Sequence, residues 1–291
     1  MKLHLAVFLW GFTGVLGRVI ALDEYALVCY RMAITALILF GILYYKKQWR
    51  WIGWAECRRL VFIGCIIGIH WVAFYGSIKK ANASIALICL STASMYTAIL
   101  EPIFTKRKLQ IVELLTSCLA FLGMALIYKF ETKYVLGITF GLIAAMLSAV
   151  FTMFNKKVVS NYNSQLMLFY EIGGGVGFVM LFSPIYNYFF PQHRIVPDAL
   201  DIGWLLVLSY FCTVLAQNLA LKSLQKLSTF TVVLSVNLEP VYGIALAFLF
   251  YKEGKYLSNG FYYGIALIAL SVLLHTLWMN KKKSLPSADK D

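Results

Sequence analysis

Long apolar runs alternate with short polar segments along the whole chain, and this pattern predicts ten membrane-spanning helices. A helix of about 20 residues crosses the roughly 30 Å hydrocarbon core of a bilayer, because each residue adds about 1.5 Å. The runs have this length, and most connections between them are short. The predicted spans are residues 3–21, 25–45, 60–78, 82–104, 111–128, 134–154, 164–184, 202–221, 228–250 and 259–279.

The composition agrees with an all-α integral membrane protein. The 291 residues are 61% hydrophobic and 13% charged, whereas a soluble domain carries about 25% charged residues. The net charge of +13 lies in loops between apolar runs, so no nucleic-acid partner is predicted. The six cysteines form no CxxC pair and the four histidines lack ligand spacing, so we predict neither a metal site nor a cofactor.

The basic residues predict how the chain is oriented. With a cytoplasmic N-terminus, that side of the membrane receives 17 of the 26 Lys and Arg residues and the opposite side receives 7. Positively charged loops are retained in the cytoplasm. We therefore predict a multi-pass protein of the cell inner membrane, in contact with membrane lipid, with both termini cytoplasmic. Residues 281–291 are predicted to form a basic cytoplasmic tail.

The two halves of the chain can be aligned with each other. Tyr30–Arg31 in the second span matches Tyr170–Glu171 in the seventh, and Tyr96 in the fourth matches Tyr242 in the ninth. Five spans are an odd number, so the second half would be inverted relative to the first. The pattern predicts two inverted five-helix repeats around a central cavity near the membrane midplane. The predicted domains are residues 1–130 and 131–280.

Short motifs follow one another in a distinctive order. They are Leu9-Trp10-Gly11, His70-Trp71-Val72-Ala73-Phe74-Tyr75-Gly76-Ser77-Ile78-Lys79, Ala220-Leu221-Lys222, and Glu239-Pro240-Val241-Tyr242 through Lys252-Glu253. In this order the chain resembles the EamA family of the drug/metabolite transporter superfamily over about residues 3–279. The resemblance implies two inverted repeats, a central cavity and alternating access, and the family includes exporters of amino acids and other small metabolites.

The chain departs from the family pattern in two places. Ser94 stands where the family often has proline, so we expect a less kinked fourth helix. The first span has no carboxylate, whereas the related small multidrug resistance proteins carry a coupling Glu there. Proton antiport by that mechanism is therefore not supported.

Ionisable side chains inside the spans are candidate site residues, because a charge within a bilayer is costly. Arg31 and Glu171 lie at matching positions and could pair directly or bind the two ends of a zwitterion. Glu239 lies beside Asn237 and Pro240, where proline breaks the helix. Glu171 and Glu239 are also candidates for proton coupling. The alternatives are a snorkelling Arg31, a Glu171 near a span end, and a packing kink at Glu239.

Aromatic and amide side chains complete the predicted site. Trp71 and Tyr75 share a helix face and could stack on an aromatic or cationic substrate, although an interfacial aromatic belt is an equal alternative. Gln217 and Asn218 could bind substrate or join neighbouring helices. The predicted substrate-binding residues are Arg31, Trp71, Tyr75, Tyr96, Glu171, Gln217, Asn218, Asn237 and Tyr242.

The sequence favours a secondary transporter that exports small metabolites, such as amino acids, by alternating access. An importer, or a multidrug-type exporter of aromatic or cationic compounds, is the alternative. A membrane-embedded enzyme for a lipid-like substrate is the third hypothesis. Its only candidate loop, 185–201, holds His193, Asp198 and Asp201 without a pattern that fixes them together, so we predict no catalytic residues and no enzyme. The sequence leaves open the substrate, the direction of transport, the coupling ion, and the choice between monomer and homodimer.

Overall fold

The computed structural model describes residues 2–105, 110–130, 132–236, 238–251 and 258–284, and most of these residues are helical. These residues contain thirteen α-helices and no strand. The helices are α1 (Lys2–Val19), α2 (Glu24–Tyr45), α3 (Trp54–Lys80), α4 (Ala83–Ser91), α5 (Ala93–Thr105), α6 (Ile111–Phe130), α7 (Val135–Val158), α8 (Ser164–Phe189), α9 (Ala199–Ser209), α10 (Ala216–Leu224), α11 (Thr229–Val236), α12 (Glu239–Tyr251) and α13 (Asn259–Ser284). A 3₁₀ turn, Thr132–Tyr134, precedes α7, and a π-helical turn, Tyr210–Leu215, joins α9 to α10.

Six helical segments in the described part of the chain are long and apolar enough to cross a membrane. Two of them are composite, because α4 continues into α5 and α9 continues through the π-helical turn into α10. Shorter apolar helices occur at Ile111–Gly123 and Glu239–Tyr251. The prediction of an all-helical, multi-pass membrane protein is confirmed.

Helices of the first half pack against helices of the second half in corresponding pairs. In the first half, α3 packs along α7 and α8; in the second, the segment from α9 to α10 packs along α1 and α2. Likewise α1 contacts α12, and α7 contacts both α4 and α5. The pairs α2–α8 and α6–α13 each join one helix from either half. Exchanging the two halves therefore leaves the main contact pattern unchanged.

Glycines bring α3 and α8 into backbone contact. A Cβ atom added at Gly64 would lie 1.8 Å from the carbonyl oxygen of Glu171, and one added at Gly68 would lie 2.7 Å from Cγ2 of Val179. Small residues allow membrane helices to approach this closely. We call this contact between the halves the α3–α8 seam.

The helical segment formed by α4 and α5 is interrupted at Thr92, although no proline lies there. The hydroxyl groups of Ser91 and Thr92 each donate to a carbonyl oxygen three residues earlier at 2.7 Å, and that of Ser94 does so at 3.2 Å. Such hydroxyl–carbonyl bonds compete with the helical ladder and bend it. The sequence predicted a less kinked fourth helix because Ser94 replaces the family's proline, and the segment is nevertheless interrupted at Thr92.

Candidate functional site

A buried cavity lies between helices of both halves. About 90 Å³ of it is open to the centres of water-sized molecules, which is enough for several waters. Its walls come from α1, α2, α3 and α4 on one side and from α7, α10, α11 and α12 on the other. The polar side chains that line it are Thr13, Arg31, His70, Ser148, Thr152, Asn155, Gln217 and Glu239.

Arg31 places a buried positive charge on this wall. Its side chain is 3% exposed; Nε donates to Thr213 Oγ1 at 3.0 Å and Nη1 donates to the hydroxyl of Tyr75 at 2.7 Å. The guanidinium carbon lies 3.9 Å from the ring centroid of Trp71. A guanidinium has five N–H donors, so three remain beyond these two bonds. Within the described residues, no carboxylate forms an ion pair with Arg31.

The π-helical turn of the second half positions the partner of Arg31. Thr213 Oγ1 donates to the carbonyl oxygen of Leu208, five residues earlier, at 3.1 Å and accepts the bond from Arg31. Ser209 donates to the backbone carbonyl of Arg31 at 3.2 Å. π-Helical turns are frequent at functional sites. A residue of the first half is thus held by an irregular segment of the second.

Glu239 faces the same cavity from the opposite half. It is the first residue of α12, it is 4% exposed, and Oε1 accepts a hydrogen bond from Thr13 Oγ1 at 3.4 Å. A carboxylate is favoured at a helix N-terminus by the helix dipole. Arg31 and Glu239 interact electrostatically, and both line the cavity. The cavity therefore presents a guanidinium group and a carboxyl group from opposite halves of the protein.

Apolar residues form the wall contributed by α10 and α11. They are Ala220, Leu221, Leu224, Val232, Val233 and Val236. Phe74 and Phe151 add aromatic surface from α3 and α7. A ligand in this cavity would therefore meet a guanidinium group, a carboxyl group and an apolar surface.

Comparison with known proteins identifies the family. The model of the EamA-like transporter family matches residues 2–129 and 135–277. The chain belongs to the EamA-like transporter family. The resemblance found in its motifs is thereby confirmed.

Relatives of this EamA-like transporter carry transporter names without a substrate. An "Uncharacterized transporter" of Archaeoglobus fulgidus is 25% identical over 165 residues, which are 55% of this chain and 58% of that protein. The "Uncharacterized transporter YxxF" of Bacillus subtilis is 24% identical over 284 residues, covering 94% of this chain and 89% of its own. A solved crystal structure with 13% identity has a TM-score of 0.68 over 97% of this chain and 98% of its own, which shows a shared fold.

The structure of this EamA-like transporter brings four of the predicted site residues to the cavity wall. They are Arg31, Trp71, Gln217 and Glu239. Tyr75 lies behind the wall, fully buried, where it accepts the bond from Arg31. One face of Trp71 is covered by the Arg31 guanidinium. Both aromatic residues are buried and contact Arg31, so they do not form an interfacial belt.

Three other predicted residues lie elsewhere, and a fourth cannot be placed. Asn218 accepts a hydrogen bond from Ser164 at 2.5 Å between α10 and α8. Tyr242 packs on Phe8 with ring centroids 5.5 Å apart, and Tyr96 is half-buried away from the cavity wall. Asn237 falls outside the described residues.

Glu171 is not brought together with Arg31. It is fully buried beside the α3–α8 seam and does not line the cavity; its neighbour Asn155 does. The matching sequence positions of Arg31 and Glu171 led to the expected pairing, but Arg31 lies on the cavity wall whereas Glu171 lies beside Gly64 of α3. Glu239 takes the place opposite Arg31.

Polar contacts close the bundle at the turn between α1 and α2. Lys79 Nζ donates to the carbonyl oxygen of Ile20 at 2.6 Å, and the backbone N–H of Ala21 donates to Asp201 at 2.8 Å. Arg194 bonds to Asp201 at 3.3 Å. Residues 185–201 therefore help to close this end of the bundle. Asp201 also belongs to a capping box at the start of α9.

Proposed function

We propose that this protein is a secondary transporter that moves amino-acid-like zwitterions through the cavity between its two halves. The observation that carries the proposal is a buried guanidinium with unused donors opposite a buried carboxylate. A guanidinium fork matches the carboxylate of an amino acid, and a carboxylate matches its ammonium group. The apolar wall of α10 and α11 fits an apolar side chain on the same molecule.

We further propose ten membrane-spanning helices in two inverted five-helix repeats, residues 1–130 and 131–280. In this arrangement α4–α5, α9–α10 and α11–α12 each form one span. Two observations support this arrangement. Exchanging the two halves leaves the main helix contacts unchanged, and the helix breaks at Thr92 and before Glu239 occupy matching positions. The excess of basic residues in alternate loops supports cytoplasmic termini in the inner membrane.

We also propose alternating access and export, and the same orientation supports them. The turn between α1 and α2 would face outward, where Lys79, Arg194 and Asp201 close the bundle. The cavity reaches Leu224, the last residue of α10, which would lie at the cytoplasmic end. A cavity closed outside and extended towards the cytoplasm suits loading from the cytoplasm, and therefore export.

A multidrug-type exporter of cationic aromatic compounds is less well supported. Such compounds need free aromatic faces and a negative surrounding. One face of Trp71 is covered by Arg31, whose own positive charge would repel a cation. The pair of opposite charges instead favours a zwitterion.

Uptake into proteoliposomes tests this proposal. The purified protein would be reconstituted into liposomes, and counterflow of a panel of labelled amino acids would be measured for the wild type and for Arg31→Met. We expect counterflow of at least one amino acid with an apolar side chain, inhibition by unlabelled substrate, and loss of activity in the variant. Absence of counterflow for the whole panel, from folded and inserted protein, would contradict the proposed substrate class.

A further inference from the structure

Glu171 is a buried carboxyl group whose oxygens make no hydrogen bond of normal geometry within the described residues. It lies in α8 with a fully buried side chain, and neither of its carboxyl oxygens has a partner within the described residues. Oδ1 of Asn155 in α7 is buried and unpartnered as well. The Asn155 side chain is the polar group that interacts with the Glu171 carboxyl. Three buried acceptor atoms therefore lie close together, and none of them makes a hydrogen bond of normal geometry.

No cation from the surrounding helices compensates Glu171. The helices α2, α3 and α10 pack against α8. Arg31 of α2 is directed to Thr213 and Tyr75, His70 of α3 contacts a backbone carbonyl of α7 at 2.7 Å, and Lys222 of α10 is exposed. On α7, Lys156 donates to the carbonyl oxygens of Leu224, the last residue of α10, and of Leu227 in the following turn. An ionised carboxylate here would be a buried charge without a partner, which is strongly unfavourable.

Protonation of the Glu171 carboxyl removes the uncompensated buried charge. The protonated group gains an O–H donor, and an amide beside it can accept that bond and donate its own N–H in return. We propose that Glu171 and Asn155 form a proton-binding site behind the substrate cavity, separate from the Arg31 and Glu239 pair. The chemical class of the ligand is the hydrogen ion.

The place of this site links it to transport, and in this respect the inference rests on the proposed function. Asn155 also lines the cavity, so one of its faces reaches the substrate space. The backbone of Glu171 lies in the α3–α8 seam, where Gly64 of the first half touches it. Any sliding of the halves along this seam changes the surroundings of the Glu171 carboxyl and thereby its affinity for the proton. Proton release and substrate movement are coupled in this way without competing for one site.

Infrared spectroscopy of the purified full chain, without substrate, tests proton binding directly. The carboxylic C=O stretch is recorded at neutral and alkaline pH. We expect a band from a buried protonated carboxyl in the wild type, its loss in Glu171→Gln, and a shift to higher frequency in Asn155→Leu, because that change removes the partner of the carboxyl. Glu101→Gln is the matched control, since Glu101 accepts a hydrogen bond from the backbone N–H of Phe230 at 3.2 Å, and it should keep the band.

The proposal is overturned if the wild type shows no such band at neutral pH, or if Glu171→Gln retains it. An unshifted band in folded Asn155→Leu protein would contradict the pairing. Because the measurement needs no substrate, its failure leaves the transport proposal untouched. Once a transported amino acid is known, Glu171→Gln should keep counterflow, but a pH gradient should no longer accelerate its transport. If the wild type shows no counterflow, that result counts against the transport proposal and not against the proton site.

Discussion

Replacing the guanidinium group of Arg31 should abolish the preference for a substrate with a carboxylate over its carboxamide. The informative variants are Arg31→Met, which removes the charge, and Arg31→Lys, which keeps it. A lysine cannot donate to Thr213 and Tyr75 while offering two parallel donors to a carboxylate. We therefore expect Lys to be intermediate and Met to be the weaker binder.

The magnitude follows from the donors that the structure leaves unused. Two of the five N–H groups of Arg31 bond to protein, so a carboxylate can receive two of the remaining three. A hydrogen bond to a charged group contributes about 1.5–3 kcal/mol, and two adjacent bonds are not additive. We take a combined loss of roughly 2–4 kcal/mol, which weakens binding about 30- to 700-fold at 1.4 kcal/mol per factor of ten.

Calorimetric titration would measure this loss with the transported amino acid and with its carboxamide. Wild-type protein should prefer the acid strongly, whereas Arg31→Met should bind both forms weakly and alike. Arg18→Lys is a matched control, because Arg18 is exposed and stacks on Tyr251 with a separation of 4.5 Å away from the cavity. If folded Arg31→Met protein still prefers the acid over the amide, Arg31 is not the carboxylate site.

Three further predictions concern the opposite charge, the seam and the closed end. Glu239→Gln should weaken binding of the amino acid about tenfold, as expected for one charge-assisted bond, yet leave binding of the deaminated acid unchanged in the same titration. Gly64→Ala should lower the melting temperature, since its Cβ would lie 1.8 Å from a backbone oxygen and overpacking costs about 1–3 kcal/mol. Gly41→Ala is the control, because open space surrounds that position, and it should leave the melting temperature unchanged. Equal melting temperatures of the two variants would contradict the close contact. Arg194→Gln should raise hydrogen exchange at the amide of Ala21 by up to about fivefold, because partly exposed ion pairs contribute at most about 1 kcal/mol; unchanged exchange would show that Arg194 does not hold this end closed.

Helical spans and the membrane class were predictable because they depend on average properties of long segments. Each span needs only about 20 apolar residues, and no single residue decides it. Arg31 and Glu239 were also recognisable, since a charge inside an apolar run is costly wherever the helix turns.

The partners of these residues were not predictable from their positions. Whether Glu171 or Glu239 lies opposite Arg31 depends on how each helix is rotated, and alignment of the halves does not determine rotation. Thr213 escaped notice because a threonine in an apolar span is unremarkable by sequence. Its role depends on a π-helical turn that shifts its side chain towards Arg31, and only the polarity of Thr213 within that span could have hinted at it.

The interruption at Thr92 shows a similar limit. Proline is the familiar signal for a broken helix, and Ser94 lacks it. Three neighbouring hydroxyl groups produce the interruption by bonding to carbonyl oxygens. Each such bond is weak and common, so their combined effect appears only once the packed structure is known.

A structure of the full chain with its transported amino acid bound is the most direct test that the cavity is the substrate site. We predict ligand density between Arg31 and Glu239, with the carboxylate at the guanidinium, the ammonium towards Glu239, and the side chain against the apolar wall of α10 and α11. Ligand density elsewhere, such as in the groove between α2 and α8 lined by Tyr30 and Asn187, would contradict it. Density in the cavity with the ammonium at Arg31 would contradict it equally.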